Sequence, residues 1–281
     1  MMTHEEVVAF GPQDQLQGIV SVPEKPQPGL RRAVVMANVG MHHRVGPFRL
    51  YVDLARAMAR DGWWALRFDY LGMGESGPRA LDNGSVSDET QDLSDAIDFL
   101  RSAHGIDEVL LVALCSGVDG AHPIVIQHER VRGAVFIDGY TYRTVGFVLR
   151  RYILRGLQLQ RWKRFVRRKL RADSAQRDRA PSAAAMFARV YPSRDQFRRD
   201  LATLRSRGVR THFIFTGTAD SSFNSERQLS ELVGRDLTVD GMAVTRLADA
   251  DHVFTGVHDR QNVIHLIREW AHRALMPATH G

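Results

Sequence analysis

The chain has 281 residues, 44% of them hydrophobic and 25% charged, with a formal net charge of +6 and a single cysteine. These totals fit one globular domain with an insertion and exclude an intrachain disulfide framework; one free thiol suits a reducing compartment. No apolar run approaches bilayer length, and Met1-Met2-Thr3-His4-Glu5-Glu6 lacks the basic start and apolar core of a signal peptide, so a cytoplasmic location is expected.

In chain order, Val7–Phe10 and Gly18–Val22 read as short strands around the turn Gly11-Pro12-Gln13-Asp14. Arg32–Ala37 is a buried strand running into Asn38-Val39-Gly40. After Gly46-Pro47, Leu50, Leu54 and Met58 mark one face of a helix that Gly62 stops. Trp63–Phe68 is a strand ending in the glycine-rich turn from Asp69 to Gly77, and Leu93, Ile97 and Leu100 mark an amphipathic helix. Val109–Leu114 and Ala134–Ile137 are further strands. Residues 140–206 break the rhythm, being helical, basic and strand-free. Alternation resumes with the strand His212–Thr216, a helix around Glu226–Leu232, the strand Met242–Leu247, and a closing helix that turns Val263, Leu266, Ile267 and Trp270 inward. Strands alternating with helices predict an α/β protein with a mostly parallel sheet covered on both faces, its functional loops at the carboxyl ends of the strands.

One such end stands out. The run Val109–Leu114 stops at Ala113-Leu114-Cys115-Ser116-Gly117, and small residues carry the chain into a helix. A nucleophile elbow has this layout, a tight strand-to-helix turn that lifts one side chain above the sheet. Small residues are needed two before and two after the nucleophile, because a larger side chain would strike a neighbouring element. For Cys115 the flanking residues are Ala113 and Gly117; for Ser116 they would be Leu114 and Val118. Sulfur is therefore the expected nucleophile, although a lone cysteine at a strand end is also a common small buried hydrophobe.

A cysteine nucleophile needs an imidazole and a group to orient it. In the chain order nucleophile, acid, histidine, Asp220 lies just past the strand His212–Thr216, and His252 lies in the last loop before the closing helix. The expected triad is Cys115–His252–Asp220, with Asp138, at the end of the strand Ala134–Ile137, as the second choice of acid. The expected oxyanion donors are the backbone N–H groups of Ser116 and Gly40, with Val39 next to the latter. His42, His43 and Arg44 share that loop. No metal-ligand spacing and no dinucleotide fingerprint appear, so no cofactor is implied.

With these residues laid out, the chain resembles the α/β-hydrolases of the serine aminopeptidase-like group, and within it the exosortase A system-associated hydrolases of the first type. The resemblance spans nearly the whole chain. It is carried by Arg44-Val45-Gly46-Pro47 with Leu54–Ala57, by Leu66–Ser76, by Leu114-Cys115 at the elbow, by the Tyr/Arg-rich insertion and by Ala248-Asp249-Ala250-Asp251-His252. It implies an eight-stranded sheet with a helical cap and a nucleophile–Asp–His triad. Cys115 departs from the commoner Gly-x-Ser-x-Gly elbow and resembles the dienelactone hydrolase-type and thioester-handling members.

The hydrolase core is expected over 1–139 and 207–281, and the cap over 140–206. From Arg150 to Arg171 there are ten Arg/Lys and no Asp or Glu, and the rest of the chain is net negative without them. Three readings of that tract stay open: a solvated outer face of a cap helix, with Tyr152, Trp162, Phe165, Val166 and Leu170 turned inward; a site for an acidic carrier or phosphate-bearing thioester; or a contact with an anionic membrane. No nucleic-acid motif accompanies the charge. The expected activity is hydrolysis of an ester or thioester, small or carrier-bound, through an acyl-enzyme. An acyltransferase or cyclase with the same triad, and a non-catalytic binding protein, are the alternatives. The oligomeric state is left open.

Overall fold

A computed structural model describes residues 4–26, 29, 31–79, 87–156, 189, 191–234 and 241–275. Its strands are β1 (His4–Phe10), β2 (Leu16–Val22), β3 (Arg32–Ala37), β4 (Trp64–Asp69), β5 (Glu108–Leu114), β6 (Val131–Ile137), β7 (Arg210–Thr216) and β8 (Met242–Leu247). They form one eight-stranded sheet in the order β1-β2-β4-β3-β5-β6-β7-β8. β2 runs antiparallel to both β1 and β4, and every other pairing is parallel. This is the α/β-hydrolase fold, with the elbow strand β5 in the middle of the sheet.

The central strands are apolar on both sides because helices cover both faces. Along β5, Val109, Leu111 and Ala113 enter one core, while Leu110, Val112 and Leu114 enter the other. The first core is covered by α2 (Ser87–His104), α3 (Gly117–Gln127) and α5 (Arg194–Ser206), the second by α1 (Leu50–Arg60) and α7 (Val257–Leu275). In α1 the residues Leu50, Leu54, Ala57 and Met58 recur at helical spacing and are buried. In α7, Val263, Ile267 and Trp270 are buried and Leu266 is partly so.

Two further helices are α4 (Val145–Gly156) and α6 (Arg227–Val233), tied together by Arg150 and Glu231 at 2.5 Å. The tract expected as a cap is divided. α5, at its end, is part of the core layer: Phe197, Leu201 and Leu204 are buried there, and Asp200 bonds His122 of α3 at 3.0 Å. Arg150 and Arg151 face inward, Arg150 to Glu231 and Arg151 to the Ser221 carbonyl, whereas Tyr152 is exposed. Trp162, Phe165, Val166, Leu170 and the basic residues from Arg161 to Arg171 lie outside the described residues.

The loops after β3 and β4 are bound to each other. Asp69, wholly buried, accepts from the Arg44 N–H at 2.6 Å, from the Arg44 guanidinium and from the Glu75 N–H at 3.2 Å. Gly74 takes φ +52° and has no room for a side chain, since a Cβ would lie 2.3 Å from the Asp69 carboxylate. Arg44, one of the residues placed on this loop by sequence, is thus an anchor, while His42 and His43 are exposed. Removing one member of a buried ion pair strands the other in a poorly solvating site. Arg44→Met is expected to cost about 3 kcal/mol in urea unfolding; an unchanged midpoint would show that the clamp contributes no stability.

Candidate active site

At the end of β5, Cys115 takes φ +53°, a left-handed conformation unfavourable for any residue with a Cβ. Its N–H still bonds the Ile137 carbonyl of β6 at 2.9 Å. Directly beyond it, Val118 N–H reaches the Cys115 carbonyl and Asp119 N–H the Ser116 carbonyl, so the chain turns into α3 within one residue. The small-residue requirement has a visible cause: a Cβ on Gly117 would lie 2.4 Å from the Asn38 carbonyl oxygen at the end of β3. The Cys115 side chain is left half-buried above the sheet.

His252 comes to it from the loop after β8. Its backbone N–H donates to Thr218 Oγ1 at 3.0 Å, and its Nδ1 lies 2.7 Å from Asp138 Oδ2. Its ring also faces the Cys115 thiol closely enough to lower the thiol's pKa and to be raised in turn. Asp138, at φ +46°, closes β6; Thr216 of β7 holds its carboxylate through a backbone bond of 2.8 Å and a hydroxyl bond of 2.6 Å.

Asp220, the expected acid, is elsewhere. It sits in the short 3-10 turn Gly217–Ser221, half-exposed, and pairs with Arg246 of β8 at 2.7 Å. The carboxylate beside His252 belongs to Asp138, the second choice. The reason is the strand order. β6 is the direct neighbour of β5, one inter-strand spacing of about 4.8 Å away, whereas β7 is two spacings away. An aspartate that closes β6 reaches the imidazole at once, and one that lies four residues beyond β7 has already been turned aside.

The expected oxyanion donors also meet, in an unforeseen way. Gly40, at φ +50°, approaches the elbow closely, and its N–H donates to the Ser116 side-chain oxygen at 2.8 Å. That hydroxyl makes no helix-capping bond. The Ser116 backbone N–H, next in the chain, helps to lower the Cys115 thiol.

Arg189 went unremarked in the sequence. Its guanidinium forks onto the Asp119 carboxylate at 2.7 and 3.0 Å, gives a further bond of 3.3 Å to the Asp138 carbonyl, and lies over the rings of Tyr140 and Tyr191. No local pattern separates it from the other arginines of a basic segment. Only its partners do, and they lie 51 and 70 residues away.

These contacts set the charges. Burial pushes the Cys115 thiol up, but the bond and charge of His252, the charge of Arg189 and the Ser116 N–H outweigh it and hold the thiol below its ordinary value. The bond to Asp138 first, and the bond to Cys115 second, raise His252 to about 10 against the opposing effect of burial. Both shifts favour a thiolate–imidazolium pair near neutrality. In an NMR titration, Asp138→Asn is expected to bring the His252 midpoint down from about 10 towards neutral, with Asp220→Asn leaving it in place. Equal shifts in both variants would remove the distinction drawn between the two carboxylates.

The fold recurs in solved structures of low sequence identity. Esterase Pf2001 of Pyrococcus furiosus superposes with a TM-score of 0.60 at 16% identity, over 98% of this chain and 94% of that one. The α/β-hydrolase GrgF of Penicillium sp. sh18 gives 0.59 at 16%, over 96% and 99%. XC6422 of Xanthomonas campestris, an α/β serine hydrolase without a lid, gives 0.53 at 16%, over 99% and 98%. No match is found among curated proteins. The family described as serine aminopeptidase, S33, matches residues 30–201. That span runs from β3 through the elbow to α5, and with the hydrolase sheet around it the chain belongs to the serine aminopeptidase S33 family of α/β-hydrolases.

Proposed function

We propose that this protein hydrolyses esters or thioesters by covalent acyl transfer, with Cys115 as nucleophile, His252 as proton carrier and Asp138 as the carboxylate that orients it. The observation that carries this is the placement of one imidazole between a half-buried thiol and a buried carboxylate, at the carboxyl ends of β5 and β6. The fold shared with an esterase is in keeping with it. The motifs resembling those of exosortase A system-associated hydrolases support a kinship with that group, and a free thiol would suit a reducing cytoplasm.

The Cys115 thiolate attacks the acyl carbon, and the carbonyl π electrons move to oxygen. As the tetrahedral intermediate collapses, the imidazolium gives its proton to the departing alkoxide or thiolate, leaving a thioester on Cys115 and a neutral imidazole. The negative sulfur that helped to raise His252 has then gone, so the imidazole becomes a base of suitable strength for water. Water attacks, His252 takes its proton, and the thiolate is released with the acid product. An acyl-thioester also reacts readily with amines and thiols, and a second nucleophile in place of water would make the same site an acyltransferase.

The oxyanion is stabilised on Ser116. Its backbone N–H is directed at the site, and its hydroxyl, accepting from Gly40 N–H, has its own proton free to donate.

Because the chain has one cysteine, labelling is unambiguous. Iodoacetamide is expected to modify Cys115 and abolish turnover of an activated acyl ester, and intact mass is expected to trap an acyl adduct on His252→Ala. Turnover should rise with pH through the lowered thiol and fall as His252 loses its proton near 10. Full turnover by the labelled enzyme would overturn the assignment, and the lack of any acyl adduct would favour a non-catalytic binding protein. Ser116→Ala is expected to lower kcat about tenfold to a hundredfold with little change in KM, while the rate of Cys115 alkylation, which forms no oxyanion, stays as it was. Undiminished kcat would mean that the hydroxyl merely rests against Gly40.

A further inference from the structure

Arg189 is more than a surface arginine. Its side chain is largely buried, and three of its N–H groups are directed at two different elements of the site. Two go to the carboxylate of Asp119, on the first turn of α3 and four residues past the nucleophile. The third goes to the backbone oxygen of Asp138, whose carboxylate orients His252. The planar group is kept in place by Tyr140 and Tyr191, with centroids 5.4 and 5.1 Å from its central carbon.

We infer that Arg189 is a positioning residue: it ties the elbow helix to the acid loop, and its charge, balanced by Asp119, sets the electrostatic environment of the Cys115 sulfur. The inference rests on the proposed nucleophile and adds to it a residue from the inserted segment. Among the described residues, the charged and titratable groups acting on the thiol are His252 from the loop after β8, Arg189 and the Tyr51 phenol of α1; Asp138 and Asp119 act through His252 and Arg189. Asp119 matters for the sign. Paired, Asp119 offsets part of the guanidinium's field; separated, each imposes its own full charge on the sulfur.

The test follows from that sign. The pH dependence of Cys115 alkylation by iodoacetamide reads the thiolate directly and needs no substrate. Arg189→Gln leaves Asp119 uncompensated, and is expected to move the alkylation midpoint upward and slow the reaction at pH 7 by about three- to tenfold. Asp119→Asn leaves the guanidinium uncompensated and is expected to move the midpoint down. The double variant should fall between the two single variants, and Arg189→Lys, which keeps the charge, should stay near the wild type. A tie that is only structural would loosen in both single variants and shift them in the same direction. That result, or an unmoved midpoint in Arg189→Gln, overturns the inference. Should Arg189→Gln fail to fold by circular dichroism, the direction of Asp119→Asn decides alone, a downward shift supporting the inference and any other outcome overturning it. If Cys115 is not the nucleophile in turnover, ester hydrolysis survives labelling while the alkylation profiles still report on Arg189, so the two failures are distinguishable.

Discussion

The 2.7 Å bond between His252 Nδ1 and Asp138 Oδ2 fixes where the protons of this site reside. With Nδ1 committed to the carboxylate, the other ring nitrogen is left for the sulfur, and the imidazole cannot turn away. A buried carboxylate on one side and a sulfur on the other both favour the charged ring, which is why His252 is held near 10. Asp138 is held for this by Thr216 of the adjoining strand, which donates one hydrogen bond to each of its carboxylate oxygens. An aspartate buried there without those bonds would be costly and free to rotate.

Sulfur changes what the pair must do. An alcohol nucleophile starts neutral and needs a base at the moment of attack; a thiol with a depressed pKa is nearer to its anion before any base acts. In the mechanism we propose, the imidazole begins as an acid for the leaving group and becomes a base only once the acyl group has neutralised the sulfur, so the first chemical step would itself remove part of what raises His252 in the free enzyme. The left-handed backbone of Cys115 serves the same end. Strain of that kind persists only where neighbours enforce it, and here β3, through the Asn38 carbonyl facing Gly117, leaves the chain no wider path.

What the sequence made legible, and what it did not, divides along the range of the forces involved. The central strands were readable because burial on both faces demands continuous apolar runs, and β5 was readable as an elbow because its steric rule involves only residues 113–117. His252 was readable from its place after the last strand. The acid was not, since choosing between Asp138 and Asp220 requires knowing that β6, and not β7, adjoins β5, which is a matter of strand order. Gly40 and Ser116 were both expected as backbone donors, but a bond from one to the hydroxyl of the other depends on the approach of two loops 76 residues apart. Arg189 was hidden altogether, because its chemistry resides in its partners.

Taken together, the charges around the sulfur alternate in sign. Cys115 faces His252, His252 faces Asp138, and Arg189, beside both Cys115 and the Asp138 loop, is answered by Asp119. In a partly buried site such alternation is the economical arrangement, since every ion has an opposite neighbour and none depends on water alone. It also distributes control. The members come from the end of β5, the start of α3, the end of β6, the loop after β8 and the segment just before α5, so on the inference drawn for Arg189 the state of the thiol depends on five pieces of chain being in register.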